Sequence, residues 1–123
     1  MLVDTSVWVN HLRSGLHSLA AALENSEVMI HPWVIGELAC GNLRDRNHVL
    51  DLLRSLPAAT VATDAEVLRL IEQEQLMGRG IGYVDAHLLA SARLSRSRLW
   101  TDDRRLRNLA LELGVGMQPR EEP

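Results

Sequence analysis

Lysine is absent: all thirteen cations among the 123 residues are arginine. A receiver domain or a haloacid-dehalogenase-like phosphatase sets a lysine beside its aspartates, so this absence argues against a phosphate-handling regulator or phosphatase of either kind. The haloacid type also wants a second aspartate two residues after the first, where Ser6 stands instead. A single cysteine, Cys40, cannot form an intramolecular disulfide, and no Cys/His spacing suits structural zinc. A reducing, cytoplasmic setting fits, with Cys40 as a small core residue. No apolar run approaches the roughly 20 residues of a membrane span, and the opening MLVDTSVWV has no basic leader; a protein neither exported nor inserted is expected. Internal repeats, low-complexity tracts, a G-x-S-x-G elbow, a Walker A loop and an H-x-x-x-H pair are missing as well.

What remains is an ordinary globular composition, 46% hydrophobic and 24% charged. The length suits one compact domain, expected over residues 1–118, with 119–123 as a flexible tail. A net charge of −3 does not suit a protein that grips a long phosphate backbone with its whole surface. Eight arginines do fall in two stretches, Arg44, Arg46 and Arg54, then Arg93, Arg96, Arg98, Arg104 and Arg105. Codon bias and selection for bidentate phosphate contacts both account for them.

Short β-like runs alternate with helical patterns, which predicts an α/β domain around a parallel sheet. Strands are expected at residues 1–4, 28–30, 59–62, 98–101 and 115–117. Helices are expected at 6–13, 18–25, from Pro32 to about Asn42, 45–55, from a cap at Asp64, 84–94 and 103–113, with Gly114 as a stop. The segment MGRGIG at 77–82 reads as a flexible connection.

Ligands gather at the carboxyl ends of parallel strands, so the acids there are the first candidates for chemistry. Asp4 ends MLV, and Asp102 and Asp103 end RLWT. Glu37 lies on PWVIGELAC, apolar nearly all round and expected to be buried, with Trp33, Val34, Cys40 and Gly41 within about 60° of it on a helical wheel. Asp85 lies on the stripe of Leu88, Leu89 and Ala92. His87 faces away from Asp85 and reads as a surface or interface residue. Singly, each aspartate is also a common helix cap, and Glu37 also reads as half of a buried salt bridge. Jointly, inward carboxylates repel one another and need an arginine or a cation. An all-oxygen site suits Mg²⁺ or Mn²⁺, and such a site supports phosphodiester hydrolysis. Ser6 and Thr101 are placed to hold these carboxylates by hydrogen bonds, or to cap helices.

The blocks VDTSVWV, VIGELACG, GYVDAHLLASA and LWTDDRRLRNLA, spanning Leu2 to about Leu113, resemble in order and interval the four blocks of PIN domains, in particular the VapC-type toxins. The resemblance implies a three-layer α/β/α fold with a parallel sheet of order 3-2-1-4-5. It implies a divalent metal site (Mg²⁺ or Mn²⁺) from Asp4, Glu37, Asp85 and Asp103, the same four acting in catalysis of endoribonuclease cleavage. It further implies an RNA substrate, homodimerisation and a cognate VapB-type antitoxin. The T-x-D spacing of Thr101 to Asp103 points to Asp103 as the fourth acid, with Asp102 as cap or accessory ligand. A PIN-like module that binds RNA or protein without cutting would have lost an acid, and none is lost.

Overall fold

A computed structural model describes residues 1–117; the expected tail at 119–123 lies outside the described residues. The fold is α/β. Strand β1 (Leu2–Val3) pairs in parallel with β2 (Leu99–Trp100), Leu2 opposite Leu99 and Val3 opposite Trp100. All four residues are buried, as parallel strands covered on both faces must be. Single parallel bridges flank the pair, joining Leu2 to Met29, Ile30 to Ala58 and Leu99 to Gly116.

Seven helices among the described residues surround these strands: α1 (Thr5–Ser14), α2 (His17–Glu24), α3 (Pro32–Ala39), α4 (Arg46–Ser55), α5 (Asp64–Gln73), α6 (Tyr83–Leu94) and α7 (Arg104–Glu112). Most bounds lie within a residue of those expected, because their signals are local. Gly15 ends α1 in the left-handed region, at φ 73°, its N–H reaching the His11 carbonyl. Pro32 opens α3 at a position where its missing N–H is no loss. Helix α6 is the innermost, buried on every side from Ala86 to Ala92, with α5 packed along it.

Five expectations are corrected. Residues 59–62 are not a strand: the Ala59 N–H still reaches the Ile30 carbonyl, but the chain then leaves the sheet and Thr60 N–H turns to Ser95 Oγ. The last expected strand reduces to the bridge at Gly116. Helix α5 is capped by Thr63 rather than Asp64, in a reciprocal box where Thr63 Oγ1 accepts from Glu66 N–H and Glu66 Oε1 from Thr63 N–H. Helix α3 ends at Ala39, not near Asn42, and the Arg46 guanidinium donates to the carbonyls of Ala39 itself and of Gly41 beyond it. Only Val34 and Leu38 of α3 are buried, so Cys40 is exposed rather than core. An apolar helix lying at the edge of the core buries one stripe whatever its other faces carry.

Candidate active site

The parallel pairing of β1 with β2 brings two distant chain segments to one sheet edge. Asp4 N–H donates to the Trp100 carbonyl at 2.9 Å, so Asp4 leaves β1 beside Thr101 leaving β2. Asp4 is buried, and three donors hold it: Thr5 N–H to Oδ1 at 2.7 Å, then Ser6 Oγ at 2.9 Å and Thr101 Oγ1 at 2.7 Å to Oδ2. The two hydroxyls also tie down the other strand end. Ser6 Oγ accepts from Asp102 N–H and Thr101 Oγ1 from Asp103 N–H, each at 3.1 Å. Thr101 therefore couples Asp4 to Asp103 through a single buried oxygen.

The doublet splits in role. Asp103 caps α7, its Oδ1 accepting from Leu106 N–H at 3.0 Å. Asp102 turns to α1, where Asn10 Nδ2 donates to its Oδ2 at 2.6 Å.

Glu37 corrects an expectation. It is exposed, on the open face of α3, and Thr5 Oγ1 donates to its Oε1 at 2.6 Å. Its wheel neighbours Trp33, Cys40 and Gly41 are exposed too, so a wheel drawn from sequence located the stripe but not which side faced the core. Asp85 is half-buried at the start of α6, accepting from Gly82 N–H at 3.1 Å. Its stripe of Leu88, Leu89 and Ala92 is buried as expected.

The electrostatics bring the four acids together. The Asp85 carboxyl is raised above the usual aspartate range, first by burial. The Gly82 N–H pulls it back, and the negative charges of Asp4, Asp103 and Glu37 push it up again. Asp102 is not among these influences. Among the described residues no arginine or histidine pairs with Asp4, Glu37, Asp85 or Asp103; the ion pairs there are Arg54–Asp51, Arg79–Glu112, Arg93–Glu74 and His87–Asp64. Among the described residues, then, no arginine offsets the repulsion. Nor are three acid or imidazole side chains among the described residues already drawn to the spacing of a metal cage; the four carboxylates feel one another's charge without contact.

The donor set fits a hard divalent cation. It is all carboxylate oxygen, and Asp85 Oδ1, Asp103 Oδ2 and Glu37 Oε2 have no hydrogen-bond partner among the described residues, while the second oxygen of each is pinned. Glu37 also borders a cleft of about 610 Å³ between α1 and the α3–α4 turn, where Val9, Leu12 and Leu43 mix with Arg13 and Arg44.

Sequence reasoning missed Thr5 and Asn10, whose hydrogen bonds cross between elements and leave no local signature. It also misplaced His87, which is buried rather than at the surface, with Nε2 3.1 Å from Asp64 Oδ1 and its ring 4.2 Å from that of Trp33. On a helix buried all round, facing away from Asp85 is not facing water.

Comparison with known proteins identifies the family. The PIN domain family profile matches residues 1–112. Ribonuclease VapC32 of Mycobacterium tuberculosis, in strains CDC 1551 / Oshkosh and ATCC 25618 / H37Rv, is 48% identical over 118 residues, 95% of this chain and 95% of the relative. With the match running through all the strand ends that carry the acids, the chain belongs to the PIN domain family and to the VapC group within it.

Proposed function

We propose that the protein is a metal-dependent endoribonuclease, the toxin half of a VapBC-type pair, which hydrolyses RNA phosphodiester bonds at Asp4, Glu37, Asp85 and Asp103. The observation that carries this reading is that Asp4, Glu37 and Asp103 all act electrostatically on Asp85, with no basic partner for any of the four among the described residues and one oxygen each of Glu37, Asp85 and Asp103 without a hydrogen bond there. The 48% identity to a ribonuclease supports the choice of RNA as substrate. Bound among these acids, Mg²⁺ or Mn²⁺ supplies stabilisation of the charge that develops on the phosphate and a lowered pKa for the attacking water.

The chain's own contribution is positional. Three hydrogen bonds fix Asp4, and Thr101 carries that alignment to the start of α7, where Asp103 stands. Thr5 holds Glu37 over the site from α3. Asp102, tied to Asn10 and absent from the charges that act on Asp85, serves as an accessory residue.

The finer architecture follows the same reading. The parallel bridges from Ala58 to Ile30, Met29 to Leu2, Leu2 to Leu99 and Leu99 to Gly116 support a three-layer α/β/α fold with the order 3-2-1-4-5. A single domain over residues 1–118 is in keeping with the one contiguous core. No helix among the described residues is long and apolar enough to cross a membrane, in keeping with action on cytoplasmic RNA. A homodimer would bury Leu68 and Leu94, exposed apolar residues of α5 and α6. A VapB-type antitoxin would block the enzyme by laying a basic side chain against the carboxylates, by way of the cleft beside Glu37.

The test is paired. Purified protein should cleave single-stranded RNA with Mg²⁺ or Mn²⁺ and not in EDTA, and its expression in a bacterium should arrest growth. Asp4→Asn should abolish both. A wild type that cuts RNA yet is as harmless as Asp4→Asn at equal soluble levels would retain the nuclease and refute the toxin.

A further inference from the structure

The chain has three tryptophans, one tyrosine and no phenylalanine. Trp8 and Trp100 are core residues, 1% and 2% exposed. The other two, Trp33 and Tyr83, are 36% and 41% exposed and touch each other, ring centroids 6.0 Å apart at 61°. Half of a small aromatic inventory is therefore spent on one surface patch. Through Trp33 the patch borders Glu37. Trp33 stands one helical turn before Glu37, both on the open face of α3 and so roughly 5–6 Å apart between their Cβ atoms. Tyr83, in the first turn of α6, joins the patch through its contact with Trp33.

The two rings are held rather than loose. His87 lies beneath both, 4.2 Å from Trp33 at 31° and 4.7 Å from Tyr83 edge-on at 88°. Tyr83 Oη donates to Asp64 Oδ1 at 2.7 Å, and the same oxygen meets His87 Nε2 at 3.1 Å. From the other side, His31 Nδ1 accepts from Trp33 N–H at 3.0 Å and fixes the start of α3. A rigid aromatic surface loses little conformational entropy when something is laid on it.

We infer that Trp33 and Tyr83 form a stacking platform for a nucleobase of the single-stranded RNA, next to the phosphate that the four carboxylates address. The inference rests on the ribonuclease reading and adds to it a pair of substrate-positioning residues. Its physical logic is that four carboxylates and a net charge of −3 repel a polyanion. Contacts that carry no charge avoid that repulsion, and a base stacked on an aromatic face provides one irrespective of its identity. A second copy of the chain is the rival occupant of the patch.

The experiment uses the full-length protein and a short, unstructured, fluorescein-labelled RNA. Its affinity is read by anisotropy in EDTA, and KM and kcat by cleavage with Mg²⁺. Trp33→Leu should weaken binding about 5- to 100-fold and raise KM with kcat little changed, while Trp33→Tyr retains most of the affinity. An abasic position scanned along the RNA should weaken binding to wild type at one site and leave Trp33→Leu indifferent there. Should Trp33→Leu not fold, Tyr83→Leu carries the same expectations. If wild type cleaves RNA while both leucine variants match it in KM and affinity, the platform is refuted and the nuclease stands. The same holds if Trp33→Leu turns a dimer into a monomer of unaltered RNA affinity, since the patch is then a subunit contact. A wild type that neither binds nor cleaves RNA overturns both readings.

Discussion

Acidification should destabilise this protein through His31, a residue with no part in the chemistry. Its ring is fully buried at the N-terminus of α3; Nδ1 accepts from Trp33 N–H, and Nε2 has no partner among the described residues. Burial, and secondarily the nearby His87, lower its pKa from 6.5 to about 4. The fold thus favours neutral histidine, and the stability due to His31 is complete above pH 6.5 and lost as pH falls towards about 4. A difference of roughly 2.5 units corresponds to about 3 kcal/mol in full, of which about 2 kcal/mol is lost by pH 5. Against a total of about 5–15 kcal/mol for a small domain, that is easily measured. Urea unfolding of wild type and His31→Asn at about pH 7.5 and about pH 5 isolates the effect, because asparagine keeps a capping acceptor but does not titrate. Any cavity it leaves costs the same at both pH values, and the carboxylates titrate in both proteins. Wild type should lose about 2 kcal/mol more than the variant between the two conditions. Equal losses would mean that the ring is protonated in the fold without penalty, and the reasoning fails.

The site yields three further predictions. Asp103→Asn should abolish RNA cleavage while Asp102→Asn keeps most of it; a dead Asp102→Asn beside an active Asp103→Asn would reverse their assignment. Asp85→Asn should melt higher than wild type in EDTA and gain less from Mg²⁺, because its charge is opposed by burial and by three other acids. With Asp85 raised in the fold, its favourable contribution is complete below the unfolded aspartate range and disappears as pH rises through the raised folded value. In EDTA the stability gap between Asp85→Asn and wild type should accordingly widen as pH rises, and a gap independent of pH would contradict it. Thr101→Val removes a donor to Asp4 and the acceptor of Asp103 N–H at a buried point. It should cost about 1–3 kcal/mol in urea unfolding and lower kcat as well, whereas unchanged stability would show that the hydroxyl is dispensable.

The sequence by itself determined what depends on neighbours along the chain. Most helix limits were legible because a proline at the first position of α3 and the left-handed Gly114 just after α7 act within a few residues. The acids at the ends of β1 and β2 were legible because parallel strands feed a shared edge, and Asp85 because its periodic neighbours Leu88, Leu89 and Ala92 are buried with it. Tertiary structure decided the rest. Whether α3 turned Glu37 inward or outward depended on which side of the helix met the core, and an almost wholly apolar helix contains no signal to choose. His87 was hidden because α5 and α3 close over the far side of α6, placing Asp64 and Trp33 against it. The hydrogen bonds of Thr5 to Glu37, Asn10 to Asp102 and Thr101 to Asp4 join residues 32, 92 and 97 positions apart. A hydroxyl or an amide can cap locally or reach across the fold with equal chemistry, and only the packing that sets its distance to each partner selects between them.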